Sequence, residues 1–141
     1  MSVIKNRVLI FGAGVVGSAY AIKFIEAGID VTIFARSNRL KALQESGLQY
    51  NEKGVVKSIE VNVIGALEND DIYDFVFVPV RYDQSESALL ALKDNQSKII
   101  ITMTNNSAGF SSWLEIVGDR LLPAFPGVGG QIKEGVLYAQ I

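Results

Sequence analysis

Apolar runs alternate with amphipathic stretches along this chain. The runs carry many β-branched residues and at most one charged residue, at the start, which predicts strands buried on both faces. They lie at 7–11, 31–34, 74–78 and 98–102. The stretches between them space apolar residues three and four apart, which predicts helices at 15–27, 38–46, 83–93 and 111–117. Gly28 and Gly47 are expected to end the first two helices, and Ser37 to cap the second.

This alternation predicts an α/β fold, with a doubly wound, mostly parallel sheet and helices on both faces. Residues 48–64 interrupt it, because an Asn-x-x-Gly loop separates two extended arms, the second of which partly alternates apolar and polar residues. That pattern predicts a hairpin with one wet face. The last third predicts a strand that begins at 120–122, a turn-rich connector at 123–130 and a strand at 136–141. No linker or repeat is evident, so one domain over 1–141 is expected.

Composition removes several classes of function. The 141 residues suffice for a sizeable core, since a chain of this length buries about 68% of its unfolded surface. Apolar residues at 49% and charged residues at 20% exclude intrinsic disorder, and a net charge of −2 argues against a nucleic-acid partner. The chain has no Cys and no His, so disulfides, imidazole catalysis and a metal site built from these ligands are not expected.

The charge-free stretch from Val8 to Ile22 permits a second interpretation. Lys5 and Arg7 precede it and a small-x-small triplet stands at 19–21, which is the outline of a secretory signal. The stretch is shorter than the roughly 20 residues of a membrane span, and its three glycines would weaken a signal helix. We therefore expect a cytoplasmic protein with no membrane partner.

A glycine-rich turn carries the first chemical signal. The run Gly12-Ala13-Gly14-Val15-Val16-Gly17 matches G-x-G-x-x-G directly after a predicted strand and at the start of a helix. The first glycine permits the tight turn, the second lets a pyrophosphate approach the backbone, and the third lets helix and strand pack closely. Free N–H groups at the helix start would face the phosphates. This context favours a Rossmann-type dinucleotide site over an ordinary turn of small residues.

The end of the second predicted strand indicates which dinucleotide binds. NAD-binding units carry Asp or Glu about 20 residues beyond the glycine turn, to hold the ribose hydroxyls. Here no carboxylate occurs between Val31 and Gln44, and Arg36 stands at the strand end. A guanidinium there suits the 2′-phosphate of NADP, with Arg39 as a second cation, although a solvated surface charge is the alternative. An FAD- or adenosylmethionine-binding sheet is less favoured, because the residue is not acidic.

Two polar stretches follow the third and fourth predicted strands, at 79–84 and 104–109. Ligands of doubly wound sheets bind at such strand ends. A cation from the first stretch and an amide pair from the second suit a carboxamide, a ribose or a keto acid. The alternatives are that the amides only satisfy a loop backbone and that Asp83 only caps a helix. Trp113 and Tyr50 are expected to pack rather than to bind.

Together these motifs resemble the N-terminal half of the ketopantoate reductase family (2-dehydropantoate 2-reductase and relatives), over nearly the whole chain. The motifs are the glycine turn, the arginine after strand two, Val-Arg-x-x-Gln at 80–84, Asn-Asn-x-x-Gly at 105–109 and Phe-Pro-Gly-x-Gly-Gly at 125–130. The resemblance implies cofactor contacts from Val80, Arg81, Gln84 and Asn106. It also places Gly129 on the nicotinamide side.

The resemblance further implies a reductase in which NADPH gives hydride to the carbonyl carbon of a 2-keto acid, as in pantothenate biosynthesis. Arg81 stands where the family has lysine, and Asn105-Asn106-Ser107 replaces Gln-Asn-Gly. A related keto acid is therefore as well supported as ketopantoate itself.

In the family, a helical C-terminal half beyond this chain supplies the lysine that donates the proton. We therefore predict no catalytic residue within 1–141, and expect NADPH binding without turnover. The longer protein is expected to be an NADP-dependent oxidoreductase of a small keto acid, with homodimerisation left open. The alternative is a non-catalytic NADP(H) sensor or regulatory module, because this chain offers no evident proton donor.

Overall fold

A computed structural model of the chain describes residues 6–140, and of Gln140 the backbone alone. The strands are β1 (Arg7–Phe11), β2 (Asp30–Phe34), β3 (Leu48–Glu52), β4 (Val55–Ile59), β5 (Asn62–Ile64), β6 (Phe75–Val78), β7 (Ile100–Met103), β8 (Leu121–Ala124), β9 (Gly129–Lys133) and β10 (Val136–Gln140). The helices are α1 (Val15–Glu26), α2 (Ser37–Ser46), α3 (Tyr82–Leu92) and α4 (Ser111–Val117). No helix within residues 6–140 has the length and apolarity to cross a membrane.

The main sheet has six strands in the order β5-β2-β1-β6-β7-β8. All its pairings are parallel, and β1 is central, with Leu9 opposite Thr32 on one side and Val76 on the other. Successive side chains of a strand point to opposite faces, so an apolar run must be covered twice. Helices α1 and α2 cover Val8 and Ile10 on one face, while α3 and α4 cover the Leu9 face. The predicted doubly wound Rossmann-type fold is confirmed.

A second, smaller sheet has the order β4-β3-β10-β9 and packs beside α1. The hairpin β3–β4 turns at Lys53 and Gly54, which both have positive φ, at 51° and 83°. These are the dihedrals of a two-residue type I′ loop. β10 then pairs parallel with β3, and this sheet buries Leu48 and Leu137 in the α1 core. The sequence did not predict that the hairpin at 48–59 would share a sheet with the last two strands.

The structure corrects the predicted second arm of the hairpin at 55–64. That arm ends at Ile59, and residues 62–64 form β5, which joins the main sheet beside β2. There Val63 packs against one core and Ile64 against the other. A strand that adds to a parallel sheet buries both faces, whereas a continued hairpin arm would leave one face wet.

The predicted connector at 123–130 is also partly regular. Pro123 and Ala124 belong to β8, the edge strand of the main sheet, where a residue without an N–H can be accommodated. Gly129 and Gly130 belong to β9, which forms an antiparallel hairpin with β10. The last predicted strand is confirmed over 136–140, and residue 141 lies outside the described part of the chain.

The ends of α1 and α2 confirm two of the three predicted signals. Gly28 has a φ of 84°, and its N–H and that of Ile29 donate to the carbonyls of Ile25 and Phe24, which is a Schellman motif. Gly47 ends α2 at a φ of 69°. Ser37 is not the N-cap, since it is the first helical residue and Arg36 precedes it without a side-chain capping bond. Ser37 instead has a φ of 51°, a left-handed conformation that costs free energy in a residue with a Cβ.

We expect Ser37→Gly to raise the free energy of unfolding by about 0.5–1 kcal/mol, because glycine adopts a positive φ without strain. Urea denaturation followed by far-UV circular dichroism measures the change. Asn38→Gly is the matched control, because Asn38 is exposed on the same helix at a φ that is not positive. It should lower stability by about 0.5–1 kcal/mol. A lower urea midpoint for Ser37→Gly would contradict the prediction.

Candidate functional site

The candidate site is a groove at the carboxyl ends of the parallel strands. The turn after β1 runs from Gly12 to Gly14 and leads into α1. Gly12 has a φ of 138°, which is open to glycine and strained for other residues. Gly14 is the N-cap of α1 and is exposed. A Cβ added at this position would have open space around it out to 4 Å. Gly17 is buried, and a Cβ there would overlap the carbonyl oxygen of Gly12. Gly12 thus permits the turn and Gly17 the close packing of helix and strand, while the contact of Gly14 with a pyrophosphate stays a prediction.

One half of the groove lies between this turn and the end of β2. It is a cavity of about 430 Å³, within the usual range for small-molecule sites. It is lined by Phe11, Gly12, Ala13, Gly14, Phe34, Ala35, Arg36, Arg39, Val80, Gln84, Ser87 and Ala88. The Arg36 guanidinium is exposed and lies 5.3 Å from the centre of the Phe34 ring, which stacks on Phe11. The lining contains two guanidinium groups and no carboxylate, so it favours an anionic ligand.

The other half of the groove reaches from the turn to the ends of β6 and β7. It has a volume of about 670 Å³ and shares Gly12, Ala13, Gly14, Val80 and Gln84 with the first half. Its remaining lining residues are Val15, Val16, Pro79, Arg81, Tyr82, Met103, Thr104, Asn105 and Pro126. The two cavities therefore form one groove that straddles the glycine turn.

A depression of about 780 Å³ lies at the opposite end of the sheet and is larger than either half. Its lining includes Asp30, Glu45 and Glu60 and the carboxyl-terminal end of α2. Three carboxylates and the negative end of a helix dipole disfavour phosphate there. Within residues 6–140, no group of three or more His, Cys, Asp or Glu side chains could hold a metal ion. The groove at the strand ends is therefore the candidate site.

Arg39 contacts the glycine turn directly. Its Nε donates to the carbonyl oxygen of Ala13 at 3.0 Å, and its Nη2 donates to Oγ of Ser18 at 3.1 Å. Burial lowers the pKa of the Arg39 guanidinium from its ordinary value, although arginine stays charged in proteins. The sequence suggested Arg39 only as a second phosphate ligand, and its bonds to the turn could not be inferred from spacing.

The stretch after β6 presents a third guanidinium to the groove, after those of Arg36 and Arg39. Arg81 is exposed as the N-cap of α3, and its Nη2 lies 3.4 Å from Oδ2 of Asp83. Asp83 makes no capping bond, so the suggestion that it caps this helix is wrong; it lies in the first helical turn. The buried Thr104 at the end of β7 donates from Oγ1 to the carbonyl oxygen of Val80 at 2.6 Å and so holds this stretch in place. This bond has no signal in the local sequence, because Thr104 and Val80 are 24 residues apart.

The amide pair is divided between two environments. Asn106 bonds within its own loop, because its Nδ2 donates to the carbonyl of Gly109 at 2.5 Å and its Oδ1 accepts the N–H of Ala108 at 2.8 Å. These are the contacts of a residue that satisfies a loop backbone. Asn105 is the one that lines the groove. The cofactor contact expected of Asn106 stays a prediction.

The 125–130 stretch contributes Pro126 to the groove, but Gly129 lies elsewhere. Gly129 belongs to β9 and lines a separate depression with Lys53 and Tyr138. Its predicted contact with the nicotinamide has no counterpart in this arrangement and stays a prediction. Trp113 belongs to α4, is 1% exposed and packs in the same core as the buried face of α3, as expected of a core residue. The structure thus gathers the glycine turn, Arg36, Val80, Arg81 and Gln84 along one groove, but not Asn106 or Gly129.

Comparisons with known proteins agree with the fold. Solved structures with the same fold include D-mandelate dehydrogenase in a ternary complex with NADH and anilino(oxo)acetate, at 17% identity and a TM-score of 0.80. Also similar is a PanE/ApbA family ketopantoate reductase from Ralstonia eutropha JMP134, at 22% identity and a TM-score of 0.79. So is 2-dehydropantoate 2-reductase from Geobacter metallireducens GS-15, at 20% identity and a TM-score of 0.73. Each alignment covers 93% of this chain, but only 44% or 45% of the other, so this chain spans less than half of their length.

No curated protein sequence matches the chain. A model of the family described as ketopantoate reductase PanE/ApbA matches residues 8–124. That segment includes the glycine turn, Arg36 and both strand-end stretches of the groove. The chain therefore belongs to the ketopantoate reductase PanE/ApbA family.

Proposed function

We propose that this chain is the NADPH-binding domain of a reductase that converts a 2-keto acid, ketopantoate or a close relative, to a 2-hydroxy acid. The observation that carries the preference for NADPH is Arg36, which stands at the end of β2 and lines the same cavity as the glycine turn. NAD-binding units place a carboxylate at that position, and none lines this cavity. A 2′-phosphate would meet a planar cation there and no opposing charge.

The residues present fit a dinucleotide. Helix α1 begins at Gly14 without a side-chain capping bond and without an acidic residue in its first turn. Its first N–H groups therefore lack a side-chain partner, and a helix N-terminus with free donors suits a pyrophosphate. Gly14 leaves open the space that a Cβ would fill. We infer that the adenosine end occupies the Arg36 half of the groove and the nicotinamide end the half towards Arg81 and Asn105.

The domain's part in the reaction is to bind and orient. The nicotinamide, when bound, supplies the hydride. Arg81 and Asn105 would hold polar groups of the substrate or of the carboxamide near the reacting end, since both are exposed at the groove. Thr104 keeps the backbone before Arg81 fixed through its bond to Val80. Such preorganised donors are what an oxyanion that develops during hydride transfer requires.

A non-catalytic NADP(H)-binding module is the second candidate, and the groove's own lining supports it. Neither half of the groove contains Lys, His, Asp or Glu among its lining residues. Arginine stays protonated in proteins, so it is poorly suited to give up a proton. A reductase built on this domain would take its proton donor either from the phenol of Tyr82, the one ionisable hydroxyl in the lining, or from further chain, such as the additional length present in the similar structures. Turnover of a keto acid by a longer protein that contains this domain would decide for the enzyme.

Titration of the chain with NADPH and NADH, followed by nicotinamide fluorescence, tests the cofactor assignment. We expect NADPH to bind more tightly and Arg36→Ala to weaken NADPH by about 10- to 100-fold, which corresponds to the loss of hydrogen bonds to a charged group. NADH affinity should stay within about twofold. Lys41→Ala is the matched control, because it removes an exposed cation from the same helix outside the groove lining. Equal affinities for the two nucleotides would contradict NADPH preference, and no binding of either would remove the proposal.

A further inference from the structure

Three groups join α2 to the glycine turn through hydrogen bonds that are buried or half-buried. The half-buried Arg39 donates to the carbonyl of Ala13 and to the hydroxyl of Ser18, at 3.0 and 3.1 Å. Ser18 is fully buried on α1, and its Oγ donates to the same Ala13 carbonyl at 3.1 Å. The carbonyl of Ala13 is thus held from two sides, by one guanidinium and one hydroxyl.

Because the peptide bond is planar, the bonds that hold the Ala13 carbonyl also fix the direction of the Gly14 N–H in the groove. In a trans peptide, the C=O of one residue and the N–H of the next point in opposite directions. The carbonyl of Ala13 faces Arg39 and Ser18, so the N–H of Gly14 points away from both. Gly14 is exposed, lines both halves of the groove and starts α1. Rotation of the Ala13–Gly14 peptide would break both bonds to the carbonyl and turn this N–H away.

The position of Arg39 on α2 adds a link between the Arg36 half of the groove and the glycine turn. Arg39 lies three residues after Arg36, and the backbone N–H of Leu40 donates to the carbonyl of Arg36 in the first turn of the helix. The guanidinium of Arg39 therefore fastens the helix that begins next to Arg36 to the turn that begins α1. Two of its donor atoms are occupied in doing so.

We propose that Arg39 is a positioning residue that fixes the glycine turn for a pyrophosphate, and not a second ligand of the 2′-phosphate. This inference rests on the proposed nucleotide site. It makes a distinctive prediction, because a 2′-phosphate ligand matters only to nucleotides that carry that phosphate. A residue that orients the turn matters to every nucleotide with a pyrophosphate.

Four probes separate the two roles: NADPH, NADH, ADP-ribose and adenosine 2′-monophosphate, each titrated into the chain and followed by protein NMR shifts. We expect Arg39→Met to weaken NADPH, NADH and ADP-ribose by about tenfold, since it removes the guanidinium bond to the Ala13 carbonyl and the guanidinium bond that holds Ser18. Adenosine 2′-monophosphate, which has no pyrophosphate, should change by less than about twofold. Arg36→Ala should show the reverse pattern, with losses for NADPH and adenosine 2′-monophosphate only.

Two further variants guard against misfolding and simple charge effects. Ser18→Ala removes both bonds of the Ser18 hydroxyl but keeps the charge of Arg39 and its bond to the Ala13 carbonyl, so it should repeat the Arg39→Met pattern at about threefold. Lys41→Met removes a cation from the exposed side of the same helix and should change none of the four affinities. Circular dichroism of each variant checks that it is folded.

The inference is overturned if Arg39→Met weakens NADPH and adenosine 2′-monophosphate alone, while the proposed function then stands. It is also overturned if all four probes weaken equally, which indicates general disruption, or if none changes. Failure of the unaltered chain to bind any of the four would remove the proposed function and this inference with it.

Discussion

Gly17→Ala is expected to lower the free energy of unfolding by about 3 kcal/mol and to abolish measurable nucleotide binding. A Cβ at this position would overlap the carbonyl oxygen of Gly12 and lie 3.0 Å from side-chain carbons of Ile10 and Pro79. The backbone of the turn cannot move aside without separating α1 from β1. Urea denaturation followed by the fluorescence of the single Trp, which is buried, measures the loss.

Gly14→Ala is the control within the same motif. Gly14 has a φ of −77°, and no heavy atom lies within 4 Å of a built Cβ, so alanine fits the backbone and the space. We expect a stability change below about 1 kcal/mol, since alanine is only a poorer N-cap than glycine. Binding of NADPH should nevertheless weaken, because the new methyl group enters the groove. Equal destabilisation by the two variants would contradict the assignment of Gly17 to the packing of the fold and of Gly14 to the space for the ligand.

Trp113→Ala is expected to cost about 3–5 kcal/mol of stability, the usual range for removing a large buried aromatic side chain. Trp113 packs against Tyr82 and Phe110, with ring centroids 6.3 and 5.6 Å away, and its Nε1 donates to Oγ of Ser85 at 3.0 Å. These contacts join α4 to α3 and so hold the two strand-end stretches of the groove. The typical total stability of a domain is about 5–15 kcal/mol, so this loss would remove a large fraction of the free energy of unfolding.

Leu114→Ala is the matched control, because Leu114 is the next residue of the helix and is 50% exposed. It should cost less than about 1 kcal/mol. Trp113→Phe keeps an aromatic ring and loses the bond to Ser85, so it should fall between the two. Far-UV circular dichroism is the appropriate probe, since the variants at 113 lack the tryptophan. A loss for Trp113→Ala no larger than that for Leu114→Ala would contradict a core role.

The sequence was a reliable guide where local chemistry alone decides the structure. The glycine turn, the parallel strands with their helices, and the C-terminal signals at Gly28 and Gly47 were all predicted. Each depends on neighbouring residues: a strand buried on both faces needs a continuous apolar run, and a left-handed helix end favours glycine. The same applies to Arg36, because the end of β2 lies beside the glycine turn in every βαβ unit of this kind.

Strand partners were decided by contacts between distant parts of the chain. Residues 62–64 and 55–59 read as one arm, yet β5 pairs with β2 and β4 with β3. β10 pairs parallel with β3, more than 80 residues earlier in the chain. The alternation of apolar and polar residues indicates which side chains of a strand are buried, but not which other strand pairs with it. Parallel pairing has no local signal comparable to a hairpin turn.

Side-chain roles in the groove divide in the same way. The sequence determined that this chain folds as a dinucleotide-type α/β unit with a glycine turn and a cation after β2, because spacing and residue type specify backbone geometry over one βαβ unit. Only the tertiary structure decided that Arg39 ties down the turn, that Asn105 rather than Asn106 faces the groove, and that Gly129 lies in another sheet. Those outcomes depend on where a side chain points and what lies opposite it, and that is fixed by packing between segments far apart in sequence.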